Sequence, residues 1–210
     1  MNILPSAQSS QLLSDLNLRM ESSCQCELKH TATQAVFGMG SVDASLFFIG
    51  EAPGKNEDKL GKPFVGASGK FLDEMLRSIS MRREDIYITN IVKYRPPLNR
   101  DPSKKEVAEC APWLQEEIRL IRPDIIITLG RHALNYFLPE AVISQSHGQI
   151  FDCHIPGIGT KKLYALYHPA AALYNGGMRQ TLIEDFGKIP ELLEEIGKTK
   201  NPGQDRPVGG

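Results

Sequence analysis

SLFFIG (45–50) runs straight into GEAPGKNEDKLGKPFVG (50–66). An uninterrupted apolar run ending on glycine is the pattern of a buried strand. The glycine-rich stretch after it first suggests a loop that cradles phosphate. A P-loop requires G-x-x-x-x-G-K-[ST]. Gly50, Gly54 and Lys55 fall one residue short of that spacing and are followed by Asn56. For Gly69-Lys70, the earlier glycine position holds Phe64 and the Ser/Thr position holds Phe71. Glu51, Glu57 and Asp58 would in addition repel phosphate. The spacing excludes a triphosphate cradle and leaves the carboxylates as the informative residues.

Working outward, IYITNIVK (86–93), DIIITLG (124–130) and KLYALYHP (162–169) repeat the strand pattern. Between them lie helical patterns at 68–80, 103–121 and 131–138, with further helices at 8–22 and 181–198, the last interrupted near Pro190. Ser68 is placed to cap the first of these, and Ser103 with Glu106 forms a capping-box pattern for the next. Pro112 predicts a kink or a division in that helix. RPPLNRDP (95–102) is a loop, because three prolines exclude regular structure. Alternating strands and helices predict a three-layer α/β/α sandwich around a mostly parallel four-stranded sheet. One domain is expected over 1–198, including an N-terminal helix and cysteine region (8–40), with a disordered tail at 199–210. Sites in such folds form at the carboxyl ends of strands. Those ends are Glu51, Lys93 to Pro97, Gly130 to His132, and His168.

The chain has 210 residues and a net charge of −1, so no global basic field announces a nucleic-acid partner. No apolar run is long enough to span a bilayer, and the polar start carries no signal peptide. Four scattered cysteines (24, 26, 110 and 153) do not make a disulfide scaffold, so a cytoplasmic location and a monomer are the expectation.

GEAPGKNED and GKPFVG match every fixed position of the first motif of family 4 in the uracil-DNA glycosylase superfamily. TNIVKYRPPLNR (89–100) resembles that family's N-x-V-K-C-R-P-P-x-N-R, and HPAAAL (168–173) its second catalytic motif. The motifs occur in the family's order over roughly 23–190. The resemblance implies an enzyme that flips uracil out of DNA, hydrolyses its glycosidic bond and leaves an abasic site for base excision repair. It implies Glu51 and His168 as catalytic residues. Ala52, Glu57, Phe64 and Asn90 would bind the base: Phe64 by stacking, Asn90 by reading the uracil edge, Glu57 near C5. Asp58 reads as structural. Lys93, Arg95 and Arg100, with Lys104 and Lys105 close by, would meet phosphates, and Leu173 would be a wedge. The competing reading is a paralogue that binds uracil or damaged DNA with little or no turnover.

Family 4 also implies a [4Fe–4S] cluster on four cysteines. Cys26 and Cys110 fall on the second and fourth ligand positions. Tyr94 occupies the third, and Cys24 is displaced by one from the first, where Ser23 stands. The incomplete set predicts that the cluster is lost or weakened, with no cofactor required for the chemistry.

Overall fold

The computed structural model describes residues 6–200; the expected tail lies almost wholly outside them. Its helices are α1 (Ser6–Ser23), α2 (Lys55–Leu60), α3 (Ala67–Ser78), α4 (Lys104–Ile121), α5 (Arg131–Phe137), α6 (Ile143–Ser146), α7 (Ala171–Tyr174), α8 (Gly176–Gly187) and α9 (Ile189–Lys200). Its strands are β1 (Met39–Gly40), β2 (Leu46–Gly50), β3 (Tyr87–Asn90), β4 (Ile125–Leu129), β5 (Ile150–Ile155) and β6 (Gly159–Leu166). They form one sheet in the order β1-β3-β2-β4-β6-β5. The four expected strands are its parallel centre; β1 and β5 extend it with antiparallel edges.

Side chains along β2 alternate between two cores, as a strand covered on both faces requires. Phe47 and Ile49 join Cys110, Leu114 and Ile118 of α4 on one side. Leu46 and Phe48 join Phe71, Leu72 and Met75 of α3 and Phe186 of α8 on the other. This is the three-layer sandwich, with helices on both faces.

The Ser103–Glu106 capping box forms as expected: Ser103 Oγ accepts from Glu106 N–H, and Glu106 Oε2 accepts from Ser103 N–H at 2.7 Å. One local expectation fails: Ser68 is inside α3, whose N-cap is Gly66. Pro112 does not divide α4, which runs through it as one helix. The last helical region does divide, with α8 ending at Gly187 and α9 starting at Ile189. Among the described residues no helix is long and apolar enough to cross a membrane.

β2 pairs with β3 on one side and with β4 on the other, so the chain reverses direction across the sheet at β2. The crevice at such a reversal, beyond the carboxyl ends of the strands, is where α/β sheets bind ligands.

Candidate active site

A pocket of about 390 Å³ opens at that crevice. The segment after β2 supplies Glu51, Ala52, Glu57 and Phe64; β3 ends in it with Asn90; the segment after β6 supplies His168. Every residue expected to catalyse or to bind the base is therefore brought to one cavity.

The walls meet over Gly50. A Cβ there would sit 2.6 Å from Phe64 Cζ and would collide with Asn90 Oδ1, so the last residue of β2 must be glycine. Asn90 is only 2% exposed, and its side-chain amide has no hydrogen-bond partner among the described residues. The amide lines the pocket, so its donor and acceptor are free to pair with whatever enters.

Phe64 is 6% exposed and has φ 52°, the left-handed region that an aromatic residue rarely adopts. Arg83 holds it there. Its guanidinium donates to the carbonyls of Pro63, Phe64 and Gly69 and pairs with Asp73. The clamp fixes the Phe64 ring 5.8 Å from the His168 ring, nearly parallel to it. Sequence reading missed Arg83, because nothing in MRRED signals a partner in another segment.

The His168 imidazole is held well down, at about 4, chiefly by burial; Glu57 pulls the other way. It is therefore neutral near pH 7. The Ala170 N–H donates to its Nδ1 at 3.1 Å. A neutral ring that accepts at Nδ1 carries its proton on Nε2, leaving Nε2–H as the donor. Glu51 has its carboxyl pushed up, chiefly by burial, with His132 opposing. Glu57 Oε1 accepts from the N–H groups of Val65 and Gly66 at 2.9 and 2.8 Å, tying the two arms of the loop together beside the pocket. Asp58 is buried and holds Thr33 through its N–H and hydroxyl, the structural part expected of it.

Lys93 is the clear correction. It is fully buried and cannot reach DNA. Its ammonium pairs with Glu117 Oε2 at 2.6 Å and donates to Thr89 Oγ1 and to the Asn90 carbonyl. A buried lysine keeps its charge only with such compensation; here the network fixes the main chain of Asn90. Glu117 on α4, also missed in the sequence, completes it by accepting from Tyr87 and Thr89. Three of the other basic residues stay near the surface but are engaged. Arg95 donates to Asn99, Arg100 makes a two-pronged pair with Glu106, and Lys105 pairs with Glu27. Leu173 is exposed on α7, next to the pocket wall at Ala170.

Cys24, Cys26 and Cys110 are buried free thiols in the core beneath α4. The Cys110 thiol is pushed up by its hydrogen bonds to Cys24 and Cys26, and theirs are pulled down in turn. Tyr94 is buried beside them. Its phenol is pushed up, first by burial and then by the thiols, and its hydroxyl has no hydrogen-bond partner among the described residues. Cluster ligation needs thiolates. Three cysteines and a phenol held protonated fall one thiolate short, so these residues do not fit a [4Fe–4S] group held by four cysteines. Cys153 lies apart, with its Sγ 3.8 Å from the Phe137 carbonyl.

Residues 37–188 match the family described as the uracil DNA glycosylase superfamily. The chain is similar to the type-4 uracil-DNA glycosylase of Archaeoglobus fulgidus, at 45% identity over 86% of this chain and 92% of that protein. It is similar to the enzyme of the same name from Saccharolobus solfataricus, at 46% over 81% and 82%. For the one from Thermotoga maritima the identity is 37%, over 89% and 97%.

Proposed function

The chain belongs to the uracil-DNA glycosylase superfamily, and from that premise we propose that its pocket takes a uracil flipped out of DNA and hydrolyses the N-glycosidic bond. The observation that carries this reading is the Asn90 amide, which lines one pocket with Phe64 and His168 and makes no hydrogen bond among the described residues. Uracil presents O4 as an acceptor and N3–H as a donor, and one amide answers both. Cytosine presents the opposite pattern.

Breaking the bond from C1′ to N1 leaves the sugar oxocarbenium-like and places negative charge on the departing base. The Nε2–H of neutral His168 donates to uracil O2, where that charge gathers, so the bond strengthens as the reaction proceeds. Phe64 stacks on the ring and sets its plane. The Glu51 carboxylate orients the attacking water, accepts its proton and favours the cationic sugar. The products are free uracil and an abasic site, the entry point of base excision repair.

For the DNA, Arg95 and Arg100 meet phosphates and Leu173 supports the vacated stack. Leu98 joins them. It is 96% exposed, with φ 55°, and Asn99 after it has φ 56°. Its loop lends Pro96, Asn99 and Arg100 to the pocket wall. An apolar side chain held in water on a left-handed backbone beside the pocket suits contact with unstacked bases. The protein works as a monomer with the genomic DNA in the cytoplasm, without a cluster.

Incubation with a uracil-containing oligonucleotide, then alkaline cleavage of abasic sites, tests the reading: strand scission is expected, and its absence for the wild type would remove the enzyme. Iron content and visible absorbance of anaerobically purified protein test the cofactor. A brown protein with about four irons per chain, the stoichiometry of the cluster, would overturn its loss.

A further inference from the structure

Four charged or titratable groups from three segments meet beside the pocket. Glu51 follows β2, Asp101 ends the proline-rich loop, and Arg131 and His132 open α5 after β4. His132 Nε2 lies 3.1 Å from Asp101 Oδ2 and 3.7 Å from Glu51 Oε2. Arg131 points its Nε–H at the same ring nitrogen at 2.9 Å, and its Nη2 reaches Asp101 at 3.2 Å.

One ring nitrogen cannot accept from arginine and donate to a carboxylate at the same time. The cluster therefore has two arrangements that differ by a proton on Nε2. With a lone pair there, His132 accepts from Arg131 and offers Glu51 nothing. With both ring nitrogens protonated, the ring donates from Nε2 to Asp101 and places a cation 3.7 Å from Glu51.

We propose that His132, held by Asp101, is a positioning residue for Glu51: its protonated ring keeps the carboxylate ionised and fixed beside the reacting sugar. Glu51 needs such help. Burial is the largest influence on it and favours the neutral acid, which can neither accept a proton from water nor stabilise a cationic sugar. Among its charged neighbours, His132 and Arg131 favour the carboxylate, and Asp101 disfavours it. On the far side of the pocket His168 is neutral near pH 7. Arg131 keeps its charge at every working pH, so His132 is the neighbour whose proton can change the balance.

The inference rests on the reading of Glu51 as the water-orienting carboxylate, and the test separates the two. Single-turnover excision is measured against pH for wild type, Glu51→Gln, His132→Gln, His132→Lys and Asp101→Asn, with inhibition by free uracil as a measure of base binding. Activity falls as pH drops through the Glu51 titration. His132→Gln removes a cation, so its acid limb moves to higher pH. At the acid edge its rate falls about tenfold, the scale of a weakened general base, with much less loss above the limb. His132→Lys restores the limb. Asp101→Asn frees the His132 ring but also removes a negative neighbour of Glu51, so its limb lies at lower pH than that of His132→Gln. Inhibition by uracil stays as in wild type throughout.

An unmoved limb in His132→Gln, or a limb at higher pH in the Asn variant than in the Gln variant, would overturn the inference. Full activity in Glu51→Gln would instead overturn the reading of Glu51 beneath it. An inactive Glu51→Gln beside a His132→Gln with the wild-type profile would sink the inference alone.

Discussion

The uracil pocket and the cysteine corner are joined by five residues, Asn90 to Tyr94, and treat buried polar groups in opposite ways. At one end Asn90 is left without a protein partner, but it faces a cavity that a ligand can enter. At the other end the Tyr94 hydroxyl is equally unpartnered, facing thiols and apolar side chains. Between them Lys93 is completely satisfied. A polar group without a protein partner is thus a binding capacity in one place and a leftover in another. What separates them is whether something that can hydrogen-bond has access.

The largest effect that would break this contrast lies in its middle. Glu117→Gln leaves the Lys93 ammonium buried without its counter-charge, and urea denaturation should show a loss of about 3–5 kcal/mol. A loss under about 1 kcal/mol would mean that the pair is not what fixes the segment. Next, Asn90→Ala removes no protein hydrogen bond, so its stability should match wild type. Its kcat/KM on uracil DNA should fall about 10²–10³-fold, the scale of a lost transition-state donor. Unchanged excision would end the edge-reading role. Leu98→Ala should act on the duplex alone: a few-fold slower excision from double-stranded DNA, with single-stranded DNA untouched, consistent with unstacking costs of a few kcal/mol. Equal losses on both substrates would assign Leu98 to something other than the stack. The smallest effect is at the far end. Tyr94→Phe deletes a hydroxyl that pays desolvation without a partner, so stability should be unchanged or higher by about 1 kcal/mol. A clear loss would show that the hydroxyl has a partner after all.

How much of this was legible in the sequence follows from the range of each interaction. The four central strands were readable because burial on both faces makes continuous apolar runs such as LFFI and IIIT. β1 has only two residues, and β5 is a largely exposed edge that lacks that signature. The pocket residues were readable through their motifs. Lys93 was misread because a lysine in a polar, proline-rich neighbourhood looks solvated. Only Glu117, twenty-four residues away on α4, shows that it is buried. Arg83 and Asp101 were missed, and His132 was placed at a strand end without a role, for the same reason: each acts on a residue in a distant segment, through contacts that leave no local spacing. Pro112 does not divide its helix, since a proline within a helix packed on the core need not break it.

The bond from Ala170 N–H to His168 reaches further than its length. A proton's place on an imidazole is usually set by a neighbouring side chain, which substitution can remove. Here it is set by the path of the main chain, which every amino acid but proline preserves. The instruction for which nitrogen acts is therefore not spelled by any residue type and would survive wide drift in the letters around it. Ala170→Pro is the single substitution that erases it, and a residue that looks like filler in HPAAAL is the one that writes the tautomer.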